Sequence, residues 1–132
     1  MVLNKKKLIE YWIKTSEQDY KTMLNLYKTK DFSWSLFLGH LVIEKLLKAL
    51  YVQNVSVDVP RIHDLLRLSE KAKIKVSEEQ KDILDTITTF NISVRYPDYK
   101  QSFYKKCTCE FSALYIKNIK EMRKWLLVLI KK

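Results

Sequence analysis

One glycine, Gly39, and two prolines, Pro60 and Pro97, restrict this 132-residue chain more than any other feature. A phosphate-cradling loop or a dinucleotide fingerprint needs two or three glycines whose backbones approach the phosphates closely, so nucleotide folds of that kind are excluded. Turns that require positive φ are scarce too, which argues against a β-sandwich or barrel with a turn every ten residues or so. What remains is an all-α chain. With 47% apolar and 30% charged residues it sits in the globular range, and its length suits one domain spanning residues 1 to 132.

Apolar spacing predicts the helices. Leu8, Trp12, Ser16, Tyr20, Met23 and Tyr27 recur at three- and four-residue steps, with Lys14, Glu17, Lys21 and Lys28 between them. This predicts a long amphipathic first helix, capped by Asn4 and fading near Lys30 and Asp31. Ser33 is the predicted cap of a second helix that carries Trp34, Phe37, Leu38, Leu41, Val42, Ile43, Leu46, Leu47, Ala49 and Leu50. Apolar residues cover most of its circumference, so it should be the central, most buried helix.

Residues 54 to 62, with Pro60 and β-branched neighbours, read as a connecting loop. Leu65, Leu66, Leu68 and Ala72 mark a short third helix ending around Lys75, and Ser77 with Gln80 gives a capping box for a fourth through Ile83, Leu84, Ile87 and Phe90. Residues 91 to 106 read as a second irregular stretch, since a helix cannot run through Pro97. Thr108 caps a final helix with Phe111, Leu114, Tyr115, Ile119, Met122, Leu126 and Leu129 on its apolar side. The expected architecture is an up-and-down bundle of about five helices, two long terminal ones around the buried second.

The formal net charge of +10 favours polyanionic partners at low salt, and it is unevenly placed. Residues 1 to 34 carry seven lysines against four acids, residues 99 to 132 nine basic residues against two acids, and the middle balances. The basic surface therefore belongs to the two terminal segments, as a nucleic-acid surface or as a solvated lysine-rich exterior. Cys107 and Cys109 are one residue apart, too close to staple distant parts of the chain, and a reducing cytoplasm is the expected setting. His40 and His63 lie far from them in sequence, so no structural zinc site and no metal are expected. The first residues lead into an amphipathic pattern and not an apolar signal segment, and no run is long enough to span a bilayer.

Three groups of polar residues do not fit a plain bundle. His40, Glu44 and Lys48 step at i, i+4 and i+8 along the otherwise apolar second helix, with Lys45 beside them. Such a stripe either faces solvent, pairs across a groove or pairs internally, because an unpaired buried charge is costly. His63 and Asp64 stand where the loop enters the third helix, as caps for its first amides or with His63 turned into a groove. Arg95, followed by Tyr96, Pro97 and Tyr99, suits a phosphate with a stacked base or an ordinary anchored loop.

Together these pieces resemble the HEPN domain family. The likeness rests on Trp12 and Asp19, on the run from His40 to Leu50 containing Glu44, Lys45, Lys48 and Ala49, on Pro60 to Leu65 containing His63 and Asp64, and on Arg95, Tyr96 and Pro97. It covers nearly the whole chain. The resemblance implies an all-α, often dimeric bundle that binds a nucleotide or supports a minimal nucleotidyltransferase encoded beside it, in a two-protein system of toxin–antitoxin type. Carried over by position, its ligand- or partner-binding candidates are His40, Glu44, Lys48, His63, Arg95 and Tyr96.

Many members of that family are metal-independent ribonucleases, with an Arg and, four to six positions beyond it, a His that acts as acid or base. Here no histidine follows Arg95, and Arg61 precedes His63 by only two positions. The expected function is therefore a non-catalytic nucleotide- or RNA-binding and partner module without a cofactor. The alternatives are an atypical ribonuclease using His63 and Arg95, and a plain dimeric interaction protein. A homodimer is expected because Trp34, Tyr51 and the apolar run from Trp125 to Ile130 exceed what one small bundle hides.

Overall fold

The computed structural model describes residues 4 to 130, and of these the side chains of residues 93, 94, 97 and 98 lie outside the description, as do the first three residues and the last two lysines of the basic C-terminus. Six helices follow one another: α1 (Lys5–Lys28), α2 (Phe32–Asn54), α3 (Leu65–Lys71), α4 (Glu78–Arg95), α5 (Pro97–Lys106) and α6 (Cys109–Leu129). No strand occurs among the described residues. The all-α bundle read from the sequence is the fold, with one helix more than expected.

The capping signals explain most boundaries. Asn4, Asp64 and Thr108 each accept a hydrogen bond from the amide three residues on. Ser77 and Gln80 form the reciprocal capping box. The second helix departs from the reading: it begins at Phe32, ahead of Ser33, and Asp31 precedes it without a side-chain cap. Asp31 turns its carboxylate to the Thr29 hydroxyl at 2.6 Å. Two lysines, Lys30 at φ 64° and Lys73 at φ 61°, take the left-handed turn positions at the ends of α1 and α3, where glycine is the usual choice. The turn at Lys73 also ends the third helix before Lys75.

The predicted irregular stretch from 91 to 106 is the main correction. Helix α4 runs on to Arg95, and only Tyr96 is extended, at φ −112° and ψ 122°. Pro97 then opens α5 from its first turn, where a missing amide hydrogen costs nothing and the fixed φ is helical. One residue before a proline is thus enough to separate two helices. Helix α5 is held by Phe103 and Cys107, four apart and both buried. Phe103 joins Phe111 and Tyr115 of α6 around the Phe90 ring of α4, with centroids 5.4 to 6.1 Å away.

Helix α2 is the hub, packing against α1, α3, α4, α5 and α6. Twelve of its residues are buried, as its all-round apolar sequence predicts. Helices α1 and α2 form an antiparallel pair joined by a short turn, and two buried serines tie them. Ser16 donates to the Val42 carbonyl at 3.0 Å and Ser35 to the Met23 carbonyl at 2.8 Å. Gly39 lies where α6 crosses: a Cβ there would stand 2.4 Å from Ile119 Cδ1 and 3.3 Å from Met23 Sδ. The single glycine therefore serves helix packing and not a turn. Arg123 of α6 reaches α1, pairing with Glu17 and lying 3.9 Å over the Tyr20 ring.

Candidate functional site

Helical spacing brings His40, Glu44 and Lys48 into one row on α2, and the bundle then seals most of that row. His40 has no exposure and Glu44 only 4%, so of the three dispositions open to this stripe, the solvent-facing one does not occur. A buried carboxylate needs partners. Glu44 uses both oxygens: Oε2 receives the Lys48 ammonium at 2.9 Å and Oε1 receives His63 Nδ1 at 3.0 Å. Burial works to raise the Glu44 pKa, but hydrogen bonds from His63 and Lys48 prevail and hold it below its ordinary value, so it is ionised at neutral pH.

An ionised carboxylate only accepts, and this fixes the tautomers. His63 must carry its hydrogen on Nδ1, which leaves Nε2 as the nitrogen turned away from Glu44 on a side chain that is half-exposed. His40 donates from Nε2 to the His63 backbone carbonyl at 3.0 Å. Burial pushes the His40 pKa below its usual value and outweighs the His63 carbonyl and the Glu44 carboxylate, which favour the charged form, so His40 is neutral. Its Nδ1 lies 3.7 Å from Glu44 Oε1 and has no hydrogen-bond partner. One helix thus grips the incoming loop twice at His63, once by the ring and once by the backbone.

At the third helix the capping reading holds for Asp64. Asp64 caps α3 by accepting from the Arg67 amide, while His63 turns back to α2. The Leu65 amide donates to the Thr88 hydroxyl at 3.0 Å, which docks the same loop on α4. Arg95, at the end of α4, is exposed and donates through Nε to Asn91 Oδ1 at 2.8 Å. Its charge acts on His40, so it belongs to the same neighbourhood. Tyr96, 55% exposed at the joint of α4 and α5, makes no side-chain hydrogen bond among the described residues.

Trp12 adds to the site from α1. Its ring faces the Lys48 ammonium at 5.1 Å to the centroid, a cation–π contact that flanks the Glu44 pair. Lys45 pairs with Asp19 at 2.7 Å and so belongs to the α1–α2 seam, apart from the Glu44 cluster. Sequence reasoning missed the partner of Glu44 across the loop, the Thr88 anchor and Asn91. None has a local signal, since each contact joins residues on different helices or on a helix face read as irregular.

The outcome is a buried carboxylate that holds a half-exposed imidazole and a lysine, with Arg95 close enough for its charge to act on His40. The formal charges of Glu44 and Lys48 cancel, and Arg95 adds one positive charge to the neighbourhood. Among the described residues no group of three His, Cys, Asp or Glu is placed to hold a metal ion. No helix among them is long and apolar enough to cross a membrane. A cleft of about 720 Å³ lies elsewhere, lined by Ile9, Ile13, Gln53 and Ile130. Cys107 is buried, which raises its thiol pKa to about 11, and Cys109 is exposed.

Comparison with curated proteins and with solved structures gives no significant match. A family model does match, that of the HEPN domain, over residues 9–129. Matched from the first turns of α1 to the end of α6, with the Glu44 and His63 motifs inside that span, the chain belongs to the HEPN domain family.

Proposed function

We propose that this chain is a non-catalytic module that binds the phosphate of a nucleotide or RNA at His63 and Arg95, and that it works beside a minimal nucleotidyltransferase as one half of a toxin–antitoxin-like pair. The observation that carries the reading is the disposition of His63: Glu44 accepts from Nδ1, so Nε2 faces away from that carboxylate, where a protonated ring can donate to a phosphate oxygen, and Arg95 is close enough for its charge to act on His40 of the same cluster. HEPN membership points the same way, toward nucleotide- or RNA-related function. The two free thiols suit a reducing compartment such as the cytoplasm.

Calorimetric titration with a panel of nucleotides and short RNAs tests it. Binding should weaken about 10-fold or more in His63→Gln and Arg95→Gln, the loss expected when a charge-assisted hydrogen bond is removed. Absence of binding by the wild type, or equal binding by both variants, refutes the site. Co-purification with the nucleotidyltransferase encoded beside it tests the partnership.

A second reading rests on the same dyad. A carboxylate that fixes an imidazole tautomer and leaves Nε2 accessible is an arrangement that general acid–base chemistry uses, with Arg95 to hold the phosphate. RNA cleavage in the presence of a chelator, lost in His63→Gln, would replace the binding module with a ribonuclease. Persistence of intact RNA with saturable binding favours the module.

A further inference from the structure

A second ligand-shaped feature lies away from Glu44, where the start of α2 meets α5. A groove of about 470 Å³ runs between Lys30, Trp34, Lys100, Gln101 and Tyr104. Two of the three aromatic rings in its lining are open, with Trp34 43% and Tyr104 68% exposed, while Phe32 packs inward against the core. Trp34 is nevertheless fixed in orientation, since Phe37 packs on it edge-to-face at 6.1 Å. The Lys100 ammonium rests over the Trp34 ring at 5.6 Å. Lys30 and Lys100 make the rim basic, while the one acid in the lining, Asp31, is engaged by the Thr29 hydroxyl.

We propose that this groove binds single-stranded nucleic acid by stacking unpaired bases on Trp34 and Tyr104, with Lys30 and Lys100 meeting the flanking phosphates. Open aromatic faces beside lysines fit a flexible polyanion with planar bases. Any base presents a π-face, so stacking tolerates sequence. A base arriving on Trp34 displaces the Lys100 ammonium from the ring, and the freed cation is then beside that base's phosphate. Gln101, in the lining, supplies an amide for a base edge. Lys100 and Tyr104 are four apart on α5 and share one face, so the platform and the cation are set by one helix.

The site is distinct from the phosphate contact proposed at His63 and Arg95, and its test separates the two. Fluorescence anisotropy of a labelled, mixed-sequence RNA oligonucleotide is measured for the wild type, Trp34→Ala, Tyr104→Ala, Lys100→Gln and, as a control on α6, Lys117→Gln. The aromatic variants should each weaken binding about 5-fold or more, the loss seen when one stacked base loses its platform. Lys100→Gln should reduce the slope of log K against log salt by about 0.7, and the annealed duplex should compete poorly.

Wild-type affinity in Tyr104→Ala overturns the proposal, and that residue is too exposed for folding to confuse the result. Equal loss in Lys117→Gln, or a duplex that binds as well as the single strand, reduces the effect to general charge and also overturns it. A change of oligomeric state on light scattering in Trp34→Ala with unchanged RNA binding assigns the groove to a second copy of the chain instead. If His63→Gln and Arg95→Gln abolish nucleotide binding while the groove variants change nothing, the proposed function stands and this inference falls; the converse result leaves the groove and removes the phosphate site.

Discussion

At the scale of single residues, Glu44 decides the most. It is the shared acceptor for an imidazole and an ammonium, and its removal leaves Lys48 a mostly buried cation with the Trp12 ring beside it but no carboxylate partner among the described residues. Glu44→Ala should cost about 3 kcal/mol in urea unfolding, whereas Lys5→Ala on exposed α1 should stay within about 0.5 kcal/mol. Equal stabilities would show that the cluster holds nothing in place. The two depressed pKa values also give opposite chemistries a common sign. His40 sits below its ordinary 6.5, so in the window between its folded value and 6.5 the unfolded chain binds the additional proton, and stability falls as pH drops through it. Glu44 sits below 4.5, so its stabilisation is complete above that value and is lost on further acidification. Melting temperatures followed downward from neutral pH should decline in two stages, the first flattened in His40→Gln and the second in Glu44→Gln. A wild-type curve flat down to about 4.5 would contradict the assignment of His40 as a neutral, buried base.

At the scale of helices, Gly39 makes a prediction whose sign depends on its neighbour. Gly39→Ala drives a methyl into Ile119 Cδ1, an overpacking that typically costs about 1–3 kcal/mol. Ile119→Val removes that very atom, and in its background Gly39→Ala should stabilise by up to about 1 kcal/mol through helix propensity. Additive losses in thermal melts would refute the contact. Helix scale is also where the sequence was most and least informative. Asn4, Ser77 with Gln80, and Thr108 announce their helices because a cap bonds only three residues away. Helix α5 was hidden because Tyr96 and Pro97 suggest a loop, and its two buried anchors, Phe103 and Cys107, are too few to outweigh a proline. The row of His40, Glu44 and Lys48 was visible for the same local reason as the caps, while its burial and the return of His63 to Glu44 depend on how the loop after α2 docks against Thr88.

At the scale of the whole molecule, apolar surface remains at the end of α6, where Val128 is 66% exposed. We propose that this exposed end mediates the homodimer expected from the sequence, which should appear as twice the 15.9 kDa chain mass in light scattering at micromolar concentration, and Val128→Glu should shift it to monomer. A monomeric wild type overturns the dimer. Order along the chain has a further consequence, for synthesis. Helix α2 is apolar on nearly all sides but second in sequence, and Gly39 receives Ile119 from a segment eighty positions later. On the ribosome the α1–α2 hairpin therefore emerges with only one of its flanks covered and waits for the last helix to arrive. Nascent chains truncated before α6 should be sticky and chaperone-bound, and release should coincide with emergence of the C-terminal third.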